Sequence, residues 1–188
     1  SRKKARKAAR PARARRAARK PAQKKAEAVP AAYGSVTPAL VLRGCRPALE
    51  FYAKAFGAKL LSRMASPDGK TMHAEIKIGD SIVMLGDEAP ERGFRSAESL
   101  GGTPATLQLY VKDCDAVFAK ALAEGAKALM PPTDMFWGDR YAQLLDPFGH
   151  RWGIGTHKVD LTPKQMSRAA EEWMARQGAQ APSAGGGP

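Results

Sequence analysis

Apolar and polar residues alternate through TMHAEIKI at 71–78, with Met72, Ala74, Ile76 and Ile78 on one side and His73, Glu75 and Lys77 on the other. A period of two is the mark of a half-buried strand. The same alternation in VTPALVL predicts a strand over 36–42. After it, Leu49, Tyr52, Ala53 and Phe56 recur at helical spacing, which predicts a helix near 46–56 closed by Gly57. Strands near 59–65, 71–78 and 81–86 follow, separated by the turn signals SPDGK and GD. The order then returns: a strand over 105–111, a helix over 115–123 stopped by Gly125, and strands near 127–130, 140–145 and 150–156.

The chain also compares with itself. FGAKLL at 56–61 returns as EGAKAL at 124–129, and Cys45 and Cys114 take nearly matching places. Identity is modest, but it recurs within one pattern of elements, as in a duplicated unit. Two β-α-β-β-β units, at 36–86 and 105–156 within a domain spanning 35–158, predict an α+β fold. Residues 87–104, rich in Gly, Pro and charge, join the units; a connection that long serves as a lid or as an exchange arm between two copies. At 162–177, Thr162, Pro163 and Gln165 read as a helix start, with Met166, Ala170, Trp173 and Met174 on one face for docking. Residues 178–188 read as a flexible tail.

Alternation also separates a helix-covered face from an open one. His73 and Glu75, two residues apart on one strand, fall on the open face. They are the candidate catalytic pair, since a neutral imidazole beside a carboxylate can act as a general base. The equally simple reading is that they hydrogen-bond each other and a neighbouring loop. Tyr141 and Gln143 occupy the corresponding places in the second unit and are expected near them. Thr37, Thr106, Gln108, Tyr110 and Arg151 complete the expected ligand-binding set, with Trp152 and Ile154 packed behind. Trp137 is either a core aromatic closing its loop or a stacking wall of the pocket. Arg140 and Arg151 could meet an anionic ligand, though Asp139 and Asp146 lie near enough in sequence to be their partners. A solvated sheet face would show the same alternation.

Charge changes the picture at one end only. Of 31 Lys and Arg residues, 13 lie in residues 1–28 beside the single acid Glu27, so nearly all of the net charge of +13 sits there. That segment has no Leu, Ile or Phe with which to build a packed face, so residues 1–34 read as a disordered tail. Arg2, Lys3, Lys4, Arg6, Lys7, Arg10, Arg13, Arg15, Arg16, Arg19 and Lys20 suit nonspecific contact with DNA or RNA phosphates, and no interleaved aromatic suggests base stacking. The composition resembles the Lys/Ala/Pro-rich tails of bacterial histone-like proteins. No apolar run follows the basic start, as a secretory signal requires, and no stretch approaches the length of a membrane span. Two cysteines fit a reducing compartment. The expectation is a soluble, cytoplasmic bacterial protein, with nucleoid association as the tail's consequence. The first residue is Ser, which reads as a fragment or a processed product.

The paired units, with DPFGHRW before the last strand, resemble the vicinal oxygen chelate superfamily, which includes glyoxalase I, extradiol dioxygenases and the bleomycin and fosfomycin resistance proteins. VTPALVLRGCRPALEFYAKAFGA, MHAEIKIGDSIVML, FWGDRYAQLLDPFGHRWGIGTH and LTPKQM look like its PhnB-like branch. The resemblance implies a concave cleft holding a small molecule, a homodimer, and lyase or oxidoreductase chemistry. In metal-dependent members, four strands each supply one His, Glu or Gln. Those positions fall here on Thr37, Thr106, Gly153 and, by symmetry, Val83, none of them a competent ligand. No cofactor is therefore expected, and a divalent metal on His73 and Glu75 is the lesser alternative. His150 and His157, at opposite ends of one strand, lie too far apart to share a metal.

Overall fold

The computed structural model describes residues 28–30 and 32–180, so the basic side chains named from Arg2 to Lys20 lie outside the described residues. Each repeated unit forms one four-stranded sheet. In the first unit, β1 (Ala39–Leu42), α1 (Cys45–Phe56), β2 (Lys59–Ala65), β3 (Thr71–Ile78) and β4 (Ser81–Asp87) give the strand order β1-β4-β3-β2. A linker holds a short 3-10 turn, Pro90–Arg92, and the one-turn helix α2 (Ala97–Leu100). The second unit, β5 (Thr106–Tyr110), α3 (Cys114–Ala123), β6 (Lys127–Asp134), β7 (Asp139–Leu145) and β8 (Arg151–His157), has the matching order β5-β8-β7-β6. In each sheet the first and last strands pair parallel and the others antiparallel. This is the expected α+β duplication.

Two strands differ in extent from the pattern. β1 begins at Ala39, not at Val36, because Pro38 has no N–H for the ladder; its carbonyl still accepts from Met84 N at 2.9 Å. β6 runs four residues beyond the expected 130, through Pro131 and Pro132. An edge strand tolerates prolines, and two register shifts absorb them.

The helices start on equivalent contacts. Gly44, at φ 91°, offers α1 no side-chain cap, and Asp87 at the end of β4 supplies one by accepting from the amides of Gly44 at 3.0 Å and Cys45 at 2.6 Å. In the second unit, Thr156 Oγ1 at the end of β8 accepts from the amide of Cys114 at 2.8 Å. Both cysteines are buried and unpaired, and burial pushes their thiols up to about 11.

Helices α1 and α3 pack on each other and join the two units, and no strand of one sheet pairs with a strand of the other. Phe51, Tyr52 and Phe56 of α1 form one aromatic cluster with Phe148 and Trp152. Asp146, buried at its centre, accepts from Tyr52 OH at 2.7 Å, Trp152 Nε1 at 2.9 Å and the amides of Phe148 and His150. His150 is buried as well, with Nε2 3.3 Å from Val41 O of the first unit. The motif DPFGHRW thus builds the junction between the units.

The linker folds onto the first sheet. Glu88 accepts from Ser96 N, Ser96 Oγ, Ser99 Oγ and Arg43 Nε, and these donors lower its carboxyl to about 2. At the C-terminus, α4 (Pro163–Gln180) starts on the expected Thr162–Gln165 capping box. Trp173 packs on Phe136, with ring centroids 5.6 Å apart. Met174, expected on the same face, is 58% exposed. Among the described residues, no helix is long and apolar enough to cross a membrane.

Candidate functional site

The helices cover one face of each sheet and leave the other open. On β3, Ala74, Ile76 and Ile78 are buried against α1, and His73 and Glu75 lie on the open face as alternation predicts. Met72 departs from the pattern: it is 58% exposed, because the ladder slips between Met64/His73 and Ala65/Thr71 and leaves Met72 as the extra residue of a bulge. Gly86 of β4 makes room for that bulge, since a Cβ there would lie 3.1 Å from Met72 O. Beside the bulge opens a cavity of about 640 Å³, lined by Val41, Met72, His73 and Met84 from the sheet and by Glu88 and Phe94 from the linker. The linker is thus a wall of this cavity.

His73 Nε2 lies 3.1 Å from Glu75 Oε1, and the same oxygen accepts from Tyr33 OH at 2.5 Å. These two hydrogen bonds, Tyr33's the larger, hold the Glu75 carboxyl below its ordinary value. Ionised Glu75 can only accept, so the hydrogen of a neutral His73 sits on Nε2 and its Nδ1 keeps a free lone pair. Tyr33, placed in the tail by composition, was not singled out from sequence. Its signal was present: it is the only aromatic residue among the first 50.

The second sheet has its own depression of about 380 Å³, lined by Gln108, Tyr110, Trp137, Asp139, Tyr141 and Gln143. Gln108, Tyr110, Tyr141 and Gln143 are expected from alternation, and a lining Trp137 is one of the two roles its loop allows. The sixth, Asp139, organises the rest: it is buried, accepts from Tyr110 OH at 3.0 Å and Trp137 Nε1 at 3.1 Å, and meets His157 Nδ1 at 2.7 Å. Asp139, and then Asp160 at 3.0 Å from Nε2, raise His157 above the ordinary histidine value. Trp137 is therefore a wall of the depression. It meets Tyr141 edge to face at 5.6 Å. Gln143 Nε2 donates to Tyr141 OH at 3.0 Å, while the Gln108 amide has no hydrogen-bond partner among the described residues.

Several expected neighbours are not brought together. Tyr141 and Gln143 share no cavity with His73, because within one chain the two depressions have no lining residue in common. Thr37, whose hydroxyl donates to Gly34 O at 3.4 Å, lies outside both cavities, as do Thr106 and Arg151. Arg140 pairs not with Asp139 but with Asp115, at 2.8 Å, and Asp134. Asp146 is engaged in the core and is no partner of Arg151.

The four metal positions of the resembled enzymes do not fit a divalent ion here. The ladders pair Glu75 with Met84 and Gln143 with Gly153, so the open-face counterpart of Gly153 is Met84. Val83 is buried against the helix, which corrects the symmetry assignment by one residue. The set Thr37, Met84, Thr106 and Gly153 offers neither imidazole nor carboxylate. Above Gly153 the space is filled, since a Cβ there would run into Gln108 Oε1 and the Tyr141 hydroxyl. No group of three His, Cys, Asp or Glu residues is placed to hold a metal among the described residues.

Comparison with known proteins agrees with this architecture. The model of the Glyoxalase/Bleomycin resistance protein/Dioxygenase superfamily matches residues 37–154. An uncharacterized protein of Mycobacterium bovis is 45% identical over 138 residues, covering 72% of this chain and 91% of that one. TioX from Micromonospora sp. ML1 superposes with a TM-score of 0.53 at 26% identity, covering 69% of this chain and all of that one. The PhnB protein of Bacillus cereus, at 18% identity and a TM-score of 0.53 over 65% of this chain and 99% of that one, shares the fold. With its duplicated βαβββ units and a family match over most of its folded part, the chain belongs to the Glyoxalase/Bleomycin resistance protein/Dioxygenase superfamily.

Proposed function

We propose that the chain binds a small organic molecule on the open faces of its sheets, as a homodimer and without a divalent metal at the four family positions. The observation that carries this reading is the cavity of about 640 Å³ on the first sheet, whose walls mix apolar side chains such as Val41, Met72 and Phe94 with polar and charged ones such as His73, Glu88 and Arg92. That size lies within the range of small-molecule sites. If the bound molecule is transformed, His73 is the base, through the Nδ1 that its hydrogen bond to Glu75 leaves free. The test is a thermal-shift screen of small organic molecules, repeated on Ala39→Trp, which fills the cavity from β1. Hits that stabilise the wild type and lose their effect in Ala39→Trp support the reading. Hits unaffected by that substitution, or none from a broad library, overturn it.

A second reading is favoured by the segregation of charge, with 13 of 31 basic residues in residues 1–28. In it the basic arm holds the protein on nucleic acid, and the folded part serves as sensor or dimerisation module. Deleting residues 1–34 should abolish a steeply salt-dependent affinity for duplex DNA, measured by fluorescence anisotropy, while ligand-induced shifts persist. DNA affinity retained by 35–188 rules this reading out.

A further inference from the structure

We propose that the open face of the first sheet is a soft-metal site, binding copper(I) through His73 Nδ1 and the thioethers of Met72 and Met84, with Met64 adjoining. This goes beyond the organic-ligand reading and does not depend on it; while the metal is bound His73 is not a base, since one Nδ1 lone pair would serve either role.

Three observations converge on this site. Met72, His73 and Met84 line one cavity. Met64 of β2 is the cross-strand partner of His73, and Met84 of β4 is the partner of Glu75, so it lies diagonal to His73 on the same face. Directly opposed Cβ atoms in a ladder are about 5 Å apart and diagonal ones about 7–8 Å, within reach of a four-atom thioether side chain. The bulge that turns Met72 out of the helix-covered face brings a further sulfur beside the imidazole, and Gly86 is the residue that permits it. Thioethers select soft ions and imidazole suits copper, whereas the two lining carboxylates nearest the sheet are committed elsewhere. Asp87 caps α1 and Glu88 holds the linker.

The hydrogen bonds behind His73 point the same way. A metal-bound histidine donates its other ring N–H to a carboxylate, which sets the tautomer and the ring orientation. Here Glu75 takes that role from Nε2, and Tyr33 fixes Glu75 in turn. An imidazole held in this way, beside Met64, Met72 and Met84, the last standing at one of the four family positions, is arranged to ligate through Nδ1. The alternative is that the methionines are only an adaptable apolar wall.

The experiment titrates the full chain with silver nitrate in chloride-free buffer, silver(I) standing in for copper(I) without redox chemistry. The readouts are the methyl resonances of ¹³C-methyl-labelled methionines and the imidazole resonances of His73. At one equivalent, the Met72 and Met84 methyls and the His73 ring should shift, with Met166 and Met174 of α4 unmoved. Met72→Leu and Met84→Leu conserve volume on exposed or half-buried positions, so the fold should be retained. Each should weaken binding at least about tenfold, and Glu75→Gln about 10–100-fold. Zinc and nickel should compete poorly. The proposal falls if silver is taken up with the Met72 and Met84 methyls unmoved, which would mean capture by the Cys45 or Cys114 thiol. It falls equally if Met84→Leu binds as the wild type does, or if no uptake occurs. None of these outcomes bears on whether Ala39→Trp abolishes organic-ligand shifts, so the two readings fail separately.

Discussion

Over the Cα of Gly153 lie the carboxamide of Gln108 and the phenol of Tyr141, and this decides what a side chain there would do. Both obstacles are the far ends of flexible side chains, so Gly153→Ala should cost about 1–3 kcal/mol in urea unfolding, the usual range for overpacking. Gly153→Glu should lose at least as much and still bind no divalent metal by calorimetry, because the other three positions offer no partner ligand. Two charged residues make opposite pH predictions. Glu88 is held down at about 2 by its hydroxyl and amide donors. The stability it contributes is full above its unfolded value near 4.5 and disappears as pH falls towards 2. The melting-temperature gap between wild type and Glu88→Gln should therefore close across that acid window. His157 is raised by Asp139 and Asp160, so its contribution is full below about 6.5 and is lost as pH rises through the higher folded value. The gap between wild type and His157→Gln should narrow on the alkaline side instead. Alternation located His73, Glu75, Gln108, Tyr110, Tyr141 and Gln143 because side chains on one strand face share an environment. It could not find Tyr33, whose hydrogen bond to Glu75 leaves no periodic trace; it missed Asp139, which is in phase with Tyr141 and Gln143 but one residue before the expected strand start at 140; and it misplaced Met72, because a bulge resets the period.

At the scale of elements, the residues just before β8 tie α1 to the second unit. Asp146 takes four donors in a buried setting, so Asp146→Ala would strand Tyr52 OH, Trp152 Nε1 and two amides away from water. Unsatisfied buried donors cost about 1–3 kcal/mol each before relaxation. A loss of more than about 3 kcal/mol is expected, enough to unfold a marginal domain. Tyr52→Phe, by contrast, leaves Asp146 three of its donors and should cost about 1 kcal/mol. Chemical denaturation of the two variants measures this asymmetry, and equal losses would mean that the carboxylate is no hub. The sequence pattern marked DPFGHRW as a turn entering a strand but did not show what its Asp and Trp hold, since that partner lies 94 residues away on α1. Strand extents were legible wherever turn residues punctuate them. They failed at Pro38, whose missing N–H delays the start of β1 to Ala39, and at Pro131–Pro132, where an edge position lets β6 continue. Placing the Gly153 counterpart required the ladder itself, because one residue of slip exchanges Met84 for Val83 and the open face for the core.

In the whole molecule, α1 and α3 lie between the units, and each sheet carries its own depression on its uncovered face. The duplication and the linker were legible from periodicity and composition, but the separation of the two depressions was not, because a repeat does not state which faces its copies turn towards each other. In the proposed homodimer a second copy would offer each half what its own chain does not: the Met- and His-lined face of one protomer against the Tyr-, Trp- and Gln-lined face of the other. The exposed Met64, Met72 and Tyr110 would be covered by such pairing. The proposed homodimer then has a test that sedimentation alone cannot provide. Ala39→Trp blocks the first face and Gln108→Ala strips the second, so neither variant alone should bind a ligand identified with the wild type. If a site is shared across a two-fold axis, mixing equal amounts after reversible unfolding makes half of the dimers hybrids, each with one doubly altered and one intact site. Binding capacity should return to about a quarter of the wild-type value. A site complete within one chain would recover nothing on mixing, since every chain would still carry its own lesion.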